Sequence, residues 1–103
     1  MSTDQMIMAM AELNGWTKVK LTRNGWRGIP PTAKDWPGAR PGLMPDWHES
    51  KDCMQYWLEE LSSGEMAIFE KHLLKIPGVG YSWLAEAPDL LEAYLKTKGV
   101  WRD

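Results

Sequence analysis

The sequence predicts an α+β domain in which a small, mainly antiparallel sheet of about three short strands packs against about four helices. Apolar residues recur at helical spacing in four segments, and they alternate with polar residues over residues 16–22. Stretches rich in proline and glycine separate these segments. With 103 residues, of which 44% are hydrophobic, the chain has the length and composition of one globular domain, residues 1–103.

The first element is a helix that begins after Ser2. Ser2 and Gln5 have the spacing of a capping box, in which the two residues satisfy each other's backbone N–H groups. Asn14-Gly15 should end the helix, because glycine readily takes the left-handed conformation there. The apolar stripe of this helix comprises Met6, Ile7, Met10 and Leu13.

A β-hairpin is expected next. Lysines alternate with apolar residues over residues 16–22, as in a half-exposed strand. Asn24-Gly25 is typical of a type I′ hairpin turn. The returning strand, residues 26–29, should be short because Pro30-Pro31 cannot continue a ladder of hydrogen bonds.

Residues 30–45 form a segment rich in proline and glycine, which holds five of the seven prolines. About 16 residues without regular structure are uncommon in a compact domain unless they have a function or are held in place. Trp36 and Leu43-Met44 are expected to hold this segment against the core. A static cover is favoured over a mobile lid, and both interpretations stay open.

The rest of the chain is expected to be organised around a helix over residues 51–61. Ser50 is a suitable N-cap, because its hydroxyl can accept a hydrogen bond from the first turn. Trp57 and Leu61 are expected to be core residues. The apolar face of this helix comprises Cys53, Met54, Trp57, Leu58 and Leu61.

The last third of the chain is predicted to contain two further helices and a short strand. A second capping box at Ser62 begins a helix that Pro77-Gly78 ends. Residues 79–84 have the composition of a strand. Pro88 suits the first turn of the final helix, and Gly99 should end it, followed by a hydrophobic clasp of two residues.

The charge of the chain is unevenly distributed around a net value of −2. Residues 17–40 hold six cationic side chains and one acid, whereas residues 46–70 hold seven acids and one lysine. Guanidinium groups pair with phosphates and indoles stack on bases, so the basic half is the candidate binding surface. A solvated hairpin with charged edges is the competing interpretation. The candidate ligand-binding residues are Lys18, Lys20, Arg23, Trp26, Arg27, Trp36 and Arg40.

No motif for catalysis, cofactor binding or metal binding is evident. His48 and His72 lack metal-ligand spacing, and there is no phosphate-binding loop, dinucleotide fingerprint or nucleophile elbow. Cys53, the single cysteine, is expected to be a buried thiol. These features predict a chain that is not an enzyme and needs no cofactor. The lack of a long apolar run and of a disulfide predicts a cytoplasmic protein without a membrane anchor.

Several fragments of the sequence follow one order over nearly the whole chain. They are residues 13–16, residues 45–47 with Met54, residues 61–65 and residues 87–101. In these fragments the chain resembles the phage ABA-sandwich domain family. The resemblance implies an α/β sandwich and a phage or prophage origin, and it implies no reaction. Family members usually carry an Ala-Met-His-Glu run, where this chain has Gln55 and Tyr56 in place of the polar pair.

Three functions are consistent with these features. The first is a phage-encoded, non-catalytic binding module, such as a host-defence antagonist, that binds a host protein or sequesters a small anionic or nucleotide ligand. The second is an oligomeric structural or assembly accessory protein of a phage. The third is a nucleic-acid-binding regulator, although the acidic half disfavours duplex nucleic acid. A chain rich in Trp and Met with oppositely charged halves also predicts a homodimer or small closed ring.

Overall fold

The computed structural model describes residues 1–23, 25–33, 42–45, 47–78 and 85–102. These residues form four helices and a three-stranded antiparallel sheet, which confirms the α+β class. No helix in this part of the chain is long and apolar enough to cross a membrane. The elements are α1 (Thr3–Leu13), β1 (Thr17–Thr22), β2 (Gly25–Ile29), a 3-10 turn (Pro31–Ala33), β3 (Gly42–Leu43), α2 (Lys51–Leu58), α3 (Ser63–Leu74) and α4 (Ala87–Thr97).

The predicted helix starts are confirmed. The Ser2 hydroxyl accepts from the Gln5 backbone N–H, and the Gln5 side chain accepts from the backbone of Ser2 in return. The same reciprocal pair is present at Ser62 and Glu65, and the Ser50 hydroxyl caps α2. Each cap satisfies backbone donors that the first helical turn leaves free. The starts of these helices are therefore encoded locally.

The two predicted glycine stops are also confirmed. Gly15 and Gly99 have φ angles of +83° and +75°, in the left-handed region. The backbone N–H of Trp16 donates to Ala11, and that of Val100 donates to Leu95, which is the Schellman arrangement at a helix end. The chain reverses cleanly after α1 and after α4.

α4 lies at the centre of the fold. The prediction that the chain is organised around the helix beginning at residue 51 is wrong. α4 packs against α1, α2 and α3. α2 ends at Leu58 and buries only Met54 and Leu58, while Trp57 and Leu61 are half-buried. α4 contributes the larger buried set: Ala87, Leu90, Leu91, Ala93, Tyr94 and Leu95. Small alanines in this set allow several neighbours to approach one helix.

The sheet has the order β1-β2-β3, with antiparallel pairing throughout. β3 and the 3-10 turn lie inside residues 30–45, so this segment is not wholly irregular as predicted. Trp36 and the strand predicted over residues 79–84 lie outside the described residues. The third strand of the observed sheet thus comes from the proline-rich segment.

A hydrogen bond ties α2 to the end of α1. The indole Nε1 of Trp57 donates to Asn14 Oδ1 at 2.8 Å, and Asn14 Nδ2 donates to the Met10 carbonyl at 2.8 Å. Asn14 is the C-cap of α1, so one amide joins the helix stop to the neighbouring helix. This bond explains how half-buried Trp57 contributes to the fold.

Asn14→Ala is expected to lower the free energy of unfolding by about 1–3 kcal/mol, because it leaves the indole N–H partly buried without its acceptor. Urea unfolding measures the change. In a Trp57→Phe background the same substitution should cost about 1 kcal/mol less, since no N–H is then left unpaired. Equal costs in the two backgrounds would contradict a contribution from this hydrogen bond.

An ion pair joins the start of α3 to the end of α4. Lys98 Nζ lies 2.8 Å from Glu65 Oε2. Lys98, through this bond, and the capping contact with Ser62 lower the pKa of the Glu65 carboxyl from its ordinary value of 4.5. The folded state therefore holds the proton of Glu65 less tightly than the unfolded chain. Stability from this pair is present above about pH 4.5 and is lost as the pH falls through the lowered folded pKa.

Glu65→Gln tests the ion pair without removing the helix cap, because glutamine also serves in a capping box. The variant should be less stable than the parent near pH 7, and the difference should vanish near pH 3. Urea midpoints at the two pH values give the comparison. A difference that persists unchanged in acid would show that the cap, and not the charge, was disturbed.

Candidate anion-binding site

The β1–β2 hairpin carries four of the predicted ligand-binding cations: Lys18, Lys20, Arg23 and Arg27. In its register Leu21 lies opposite Trp26, and Lys20 lies opposite Arg27. β1 ends at Thr22 and β2 begins at Gly25, so the connection comprises residues 23–24. The two predicted strands of the hairpin are therefore present, whereas Asn24 of the predicted turn lies outside the described residues.

A β-bulge interrupts β1. Thr17 pairs with Ile29 and Lys20 pairs with Arg27, so Lys18 and Val19 together face the single residue Gly28. Lys18 has a φ angle of +51°, which is uncommon for a residue with a side chain. The alternation in the sequence suits an unbroken strand. Continuing the Thr17 register without the bulge would place Val19, instead of Lys20, opposite Arg27.

The bulge thus creates a cross-strand pair of two cations. Lys20 is exposed and Arg27 is half-buried. Directly opposite residues on one face of a sheet have Cβ atoms about 4.5–5.5 Å apart, and like charges there repel. Neither cation has an acidic partner among the described residues. An anionic group between them would relieve this repulsion.

Trp26 lies on the other face of the hairpin. Neighbouring residues of a strand point to opposite faces, so Trp26 is separated from Arg27 although it precedes it in the sequence. Trp26 and Val19 are partly buried and pack against the core cluster, as does Trp16. The register brings Lys20 and Arg27 together and directs the nearby indoles to the core.

The other predicted ligand-binding residues have less defined places. Lys18 is exposed in the bulge, and Arg23 is exposed in the turn. The Thr22 hydroxyl donates to the Gly25 carbonyl at 2.7 Å across that turn, which fixes the path of the backbone. Trp36 and Arg40 lie outside the described residues.

Leu43 is a neighbour of the cation pair that was not predicted as part of the site. It lies opposite Arg27 in the β2–β3 register, and it is 64% exposed. Its place on that face follows from β3, a two-residue strand with no sequence signal of its own. The site therefore has an apolar margin beside the two charges.

A second polar feature lies at the turn before α2. His48 Nε2 is 3.3 Å from Glu49 Oε1, and both residues line a cleft of about 320 Å³ together with Trp26 and Met44. His48 Nδ1 and the Trp47 Nε1 are buried without hydrogen-bond partners in the described structure. Within the same part of the chain, no three His, Cys, Asp or Glu residues gather as a metal site.

His72 is half-buried on α3. Burial lowers the pKa of its imidazole below the ordinary value, and the positive charges of Lys75, Lys96 and Lys71 lower it further. The neutral form is thereby favoured. His72 lies on α3 and is not part of the hairpin site.

No family model, curated protein or solved structure matches this chain. The resemblance to the phage ABA-sandwich domain family therefore stays a prediction.

Proposed function

We propose that this chain is a non-catalytic binding module that takes a small anionic ligand on the hairpin face formed by Lys20, Arg27 and Leu43. The observation that carries the proposal is the cross-strand cation pair, set by a bulge and without an acidic partner in the described chain. Two cations held side by side suit a phosphate or carboxylate group, which accepts several hydrogen bonds at once.

A small ligand is favoured over a single-stranded nucleic acid. Proteins that bind single strands without sequence preference stack successive bases on aromatic side chains beside a basic groove. On the cationic face of this hairpin, the residues paired with one another are cationic, aliphatic, threonine or glycine residues, and none is aromatic. Trp26 faces the core instead. One anionic group with a compact apolar part, as in a nucleotide, fits this surface better.

The proposed biological setting follows the family resemblance. A phage-encoded module acting in the host cytoplasm would withdraw a nucleotide or another small anion from host use. The positive charge of the cationic face supports binding of such a ligand. The residues paired across its strands include no carboxylate or imidazole that could transfer a proton. Sequestration of a ligand requires binding affinity for it and no chemical step.

Arg27→Glu tests the proposal because it should change affinity and stability in opposite directions. Titration calorimetry with ADP and with inorganic pyrophosphate should show binding to the parent that weakens with added salt. Affinity should fall about tenfold or more in the variant. The free energy of unfolding should rise by about 0.2–1 kcal/mol, because an acid opposite Lys20 replaces a like charge with an opposite one.

Lys51→Glu is the matched control, because it makes the same change in net charge on α2, outside the two strands of the hairpin. Its affinity for both probes should equal that of the parent. No binding of either probe to the parent at about 1 mM, where affinity is only about 4 kcal/mol, would count against the proposal. So would equal losses in the control and in Arg27→Glu.

A further inference from the structure

Lys18 has a backbone conformation that suits its residue type poorly. Its φ angle is +51°, in the left-handed region, where a Cβ atom lies too close to the following carbonyl oxygen. Glycine takes this conformation freely, and asparagine tolerates it better than a long side chain does. The other positive φ angles of the described residues belong to Gly15, Gly25, Gly78 and Gly99. Lys18 is therefore the one described residue with a side chain that takes a positive φ angle.

The fold requires the backbone conformation at position 18 but not the lysine. Val19 packs against the core cluster, and the bulge allows this while Lys20 keeps its pairing with β2. The Lys18 side chain is exposed and has no acidic partner among the described residues. It therefore supplies little packing and no ion pair that would offset the unfavourable φ angle. A residue held in such a conformation without local compensation points to a use for its side chain.

Lys18 lies on the part of β1 that contributes to the cationic face. Lys20 pairs with Arg27, and Thr17 pairs with the residue two positions after Arg27. Thr17 and Lys20 therefore share the face of Arg27, and Lys18 lies between them in the chain. The Cα atoms of Lys18 and Lys20 are at most about 7 Å apart, because a residue spans no more than about 3.6 Å. A lysine side chain is long enough to reach a group bound beside Lys20.

Three cations in this arrangement suit two linked anionic groups better than one. Lys20 and Arg27 lie opposite each other and can bind one phosphate group between them. A single phosphate there leaves Lys18 without an anionic partner, whereas a diphosphate has a second anionic group within reach of its amine. Lysine suits this role because its ammonium is a compact charge on a flexible stem.

We infer that Lys18 gives this site a preference for diphosphates over monophosphates, with one phosphate bound by Lys20 and Arg27 and the second by Lys18. The ligand class is then a free diphosphate or an ester of one, such as a nucleoside diphosphate. The inference rests on the proposed anion site and adds the residue that makes the site selective.

Protection of a sheet edge is the competing role for Lys18. β1 lies at one edge of the described sheet, and lysines on edge strands discourage pairing with another sheet. Such a role needs the positive charge but gives no preference among phosphate ligands. Its loss would appear as self-association of a neutral variant and not as a change in ligand selectivity. Ligand selectivity therefore distinguishes the two roles.

Titration calorimetry with pyrophosphate, inorganic phosphate, ADP and AMP tests the inference. The parent should bind pyrophosphate and ADP more tightly than phosphate and AMP. Lys18→Gln, which removes the charge and keeps an unbranched side chain, should weaken binding of pyrophosphate and ADP about fivefold to tenfold, as for the loss of one exposed ionic contact. Binding of phosphate and AMP should change less than about twofold, because Lys20 and Arg27 still hold their single phosphate.

Further variants separate the charge of Lys18 from its backbone conformation. Lys18→Asn removes the charge but suits a positive φ angle, so it should lose the same affinity while its urea midpoint equals or exceeds that of the parent. Lys18→Arg keeps the charge and should keep the preference for diphosphates. Lys51→Gln, outside the two strands of the hairpin, and Arg23→Gln, at its exposed turn, should also keep this preference. Circular dichroism verifies that each variant is folded.

The experiment distinguishes failure of the anion site from failure of the inference. A parent that binds none of the four probes at about 1 mM rejects the site and the inference with it. If Arg27→Glu weakens binding but Lys18→Gln does not, the site stands and the inference is wrong. Equal losses for pyrophosphate and phosphate in Lys18→Gln would indicate a general effect of charge and would also overturn the inference. So would a preference that survives Lys18→Gln and is lost in Arg23→Gln, because Arg23 would then hold the second phosphate.

Discussion

Trp47→Ala is expected to lower the free energy of unfolding by about 3–5 kcal/mol, the range for truncating an aromatic residue in a core. Trp47 is fully buried, with 0% of its surface exposed. Its ring meets that of Trp57 edge to face, with 5.4 Å between the centroids. Alanine would leave a cavity beside α2 that the surrounding side chains cannot fill. Urea unfolding, monitored by circular dichroism, measures the loss.

Trp47→Phe separates packing from hydrogen bonding. Because the indole Nε1 has no partner in the described structure, phenylalanine loses no hydrogen bond there. It should cost clearly less than alanine. Tyr56→Ala serves as the exposed control, since this ring also meets Trp57 edge to face but lies at the surface. Equal costs for alanine and phenylalanine at position 47 would indicate that the N–H has a partner after all.

Gly28→Val is expected to lower the free energy of unfolding by about 1–3 kcal/mol and to impair anion binding. A Cβ atom at Gly28 would lie 3.0 Å from Val19 Cγ2 and 3.2 Å from the Thr17 carbonyl oxygen. The carbonyl belongs to the backbone of β1 and cannot rotate away. Relief must therefore come from the strand pairing that sets Lys20 against Arg27.

Gly42→Val is the matched control, because Gly42 pairs directly with Gly28 in the β2–β3 register. A Cβ atom there meets nothing within 4 Å. Valine should be neutral at this position, and it should leave the affinity for pyrophosphate unchanged. If both valine variants unfold at the same urea concentration as the parent, the close approach of β1 to Gly28 is not a constraint on the hairpin.

The hairpin shows how far the sequence could predict the site. Alternation and turn residues predicted two strands and their cationic side chains, and both strands are present. No sequence pattern predicts the bulge at Lys18 and Val19. The bulge is set by the register of the strands that packs Val19 and Met44 against the core. One residue of slip changes which side chain faces Arg27. The sequence therefore predicted Lys20 and Arg27 as two separate candidate residues, and only the strand register places them opposite each other.

The places where most helices begin and end are encoded in the sequence alone. Serine caps and glycine stops act through hydrogen bonds within four or five residues, so their effect does not depend on the rest of the fold. The α+β class likewise follows from two distinct periodicities. Neither result requires knowing which elements touch.

Tertiary packing, in contrast, selects which helix is central and which tryptophan is buried. The apolar faces of α2 and α4 both satisfy helical periodicity, yet α4 packs against three helices and α2 is largely peripheral. Trp47 is fully buried while Trp57 reaches Asn14 from a half-buried position. Burial is shared among elements distant in sequence, because each apolar surface competes for the same interior. A local pattern shows that a segment has an apolar face, and only the packing of all the elements determines how much of that face is buried.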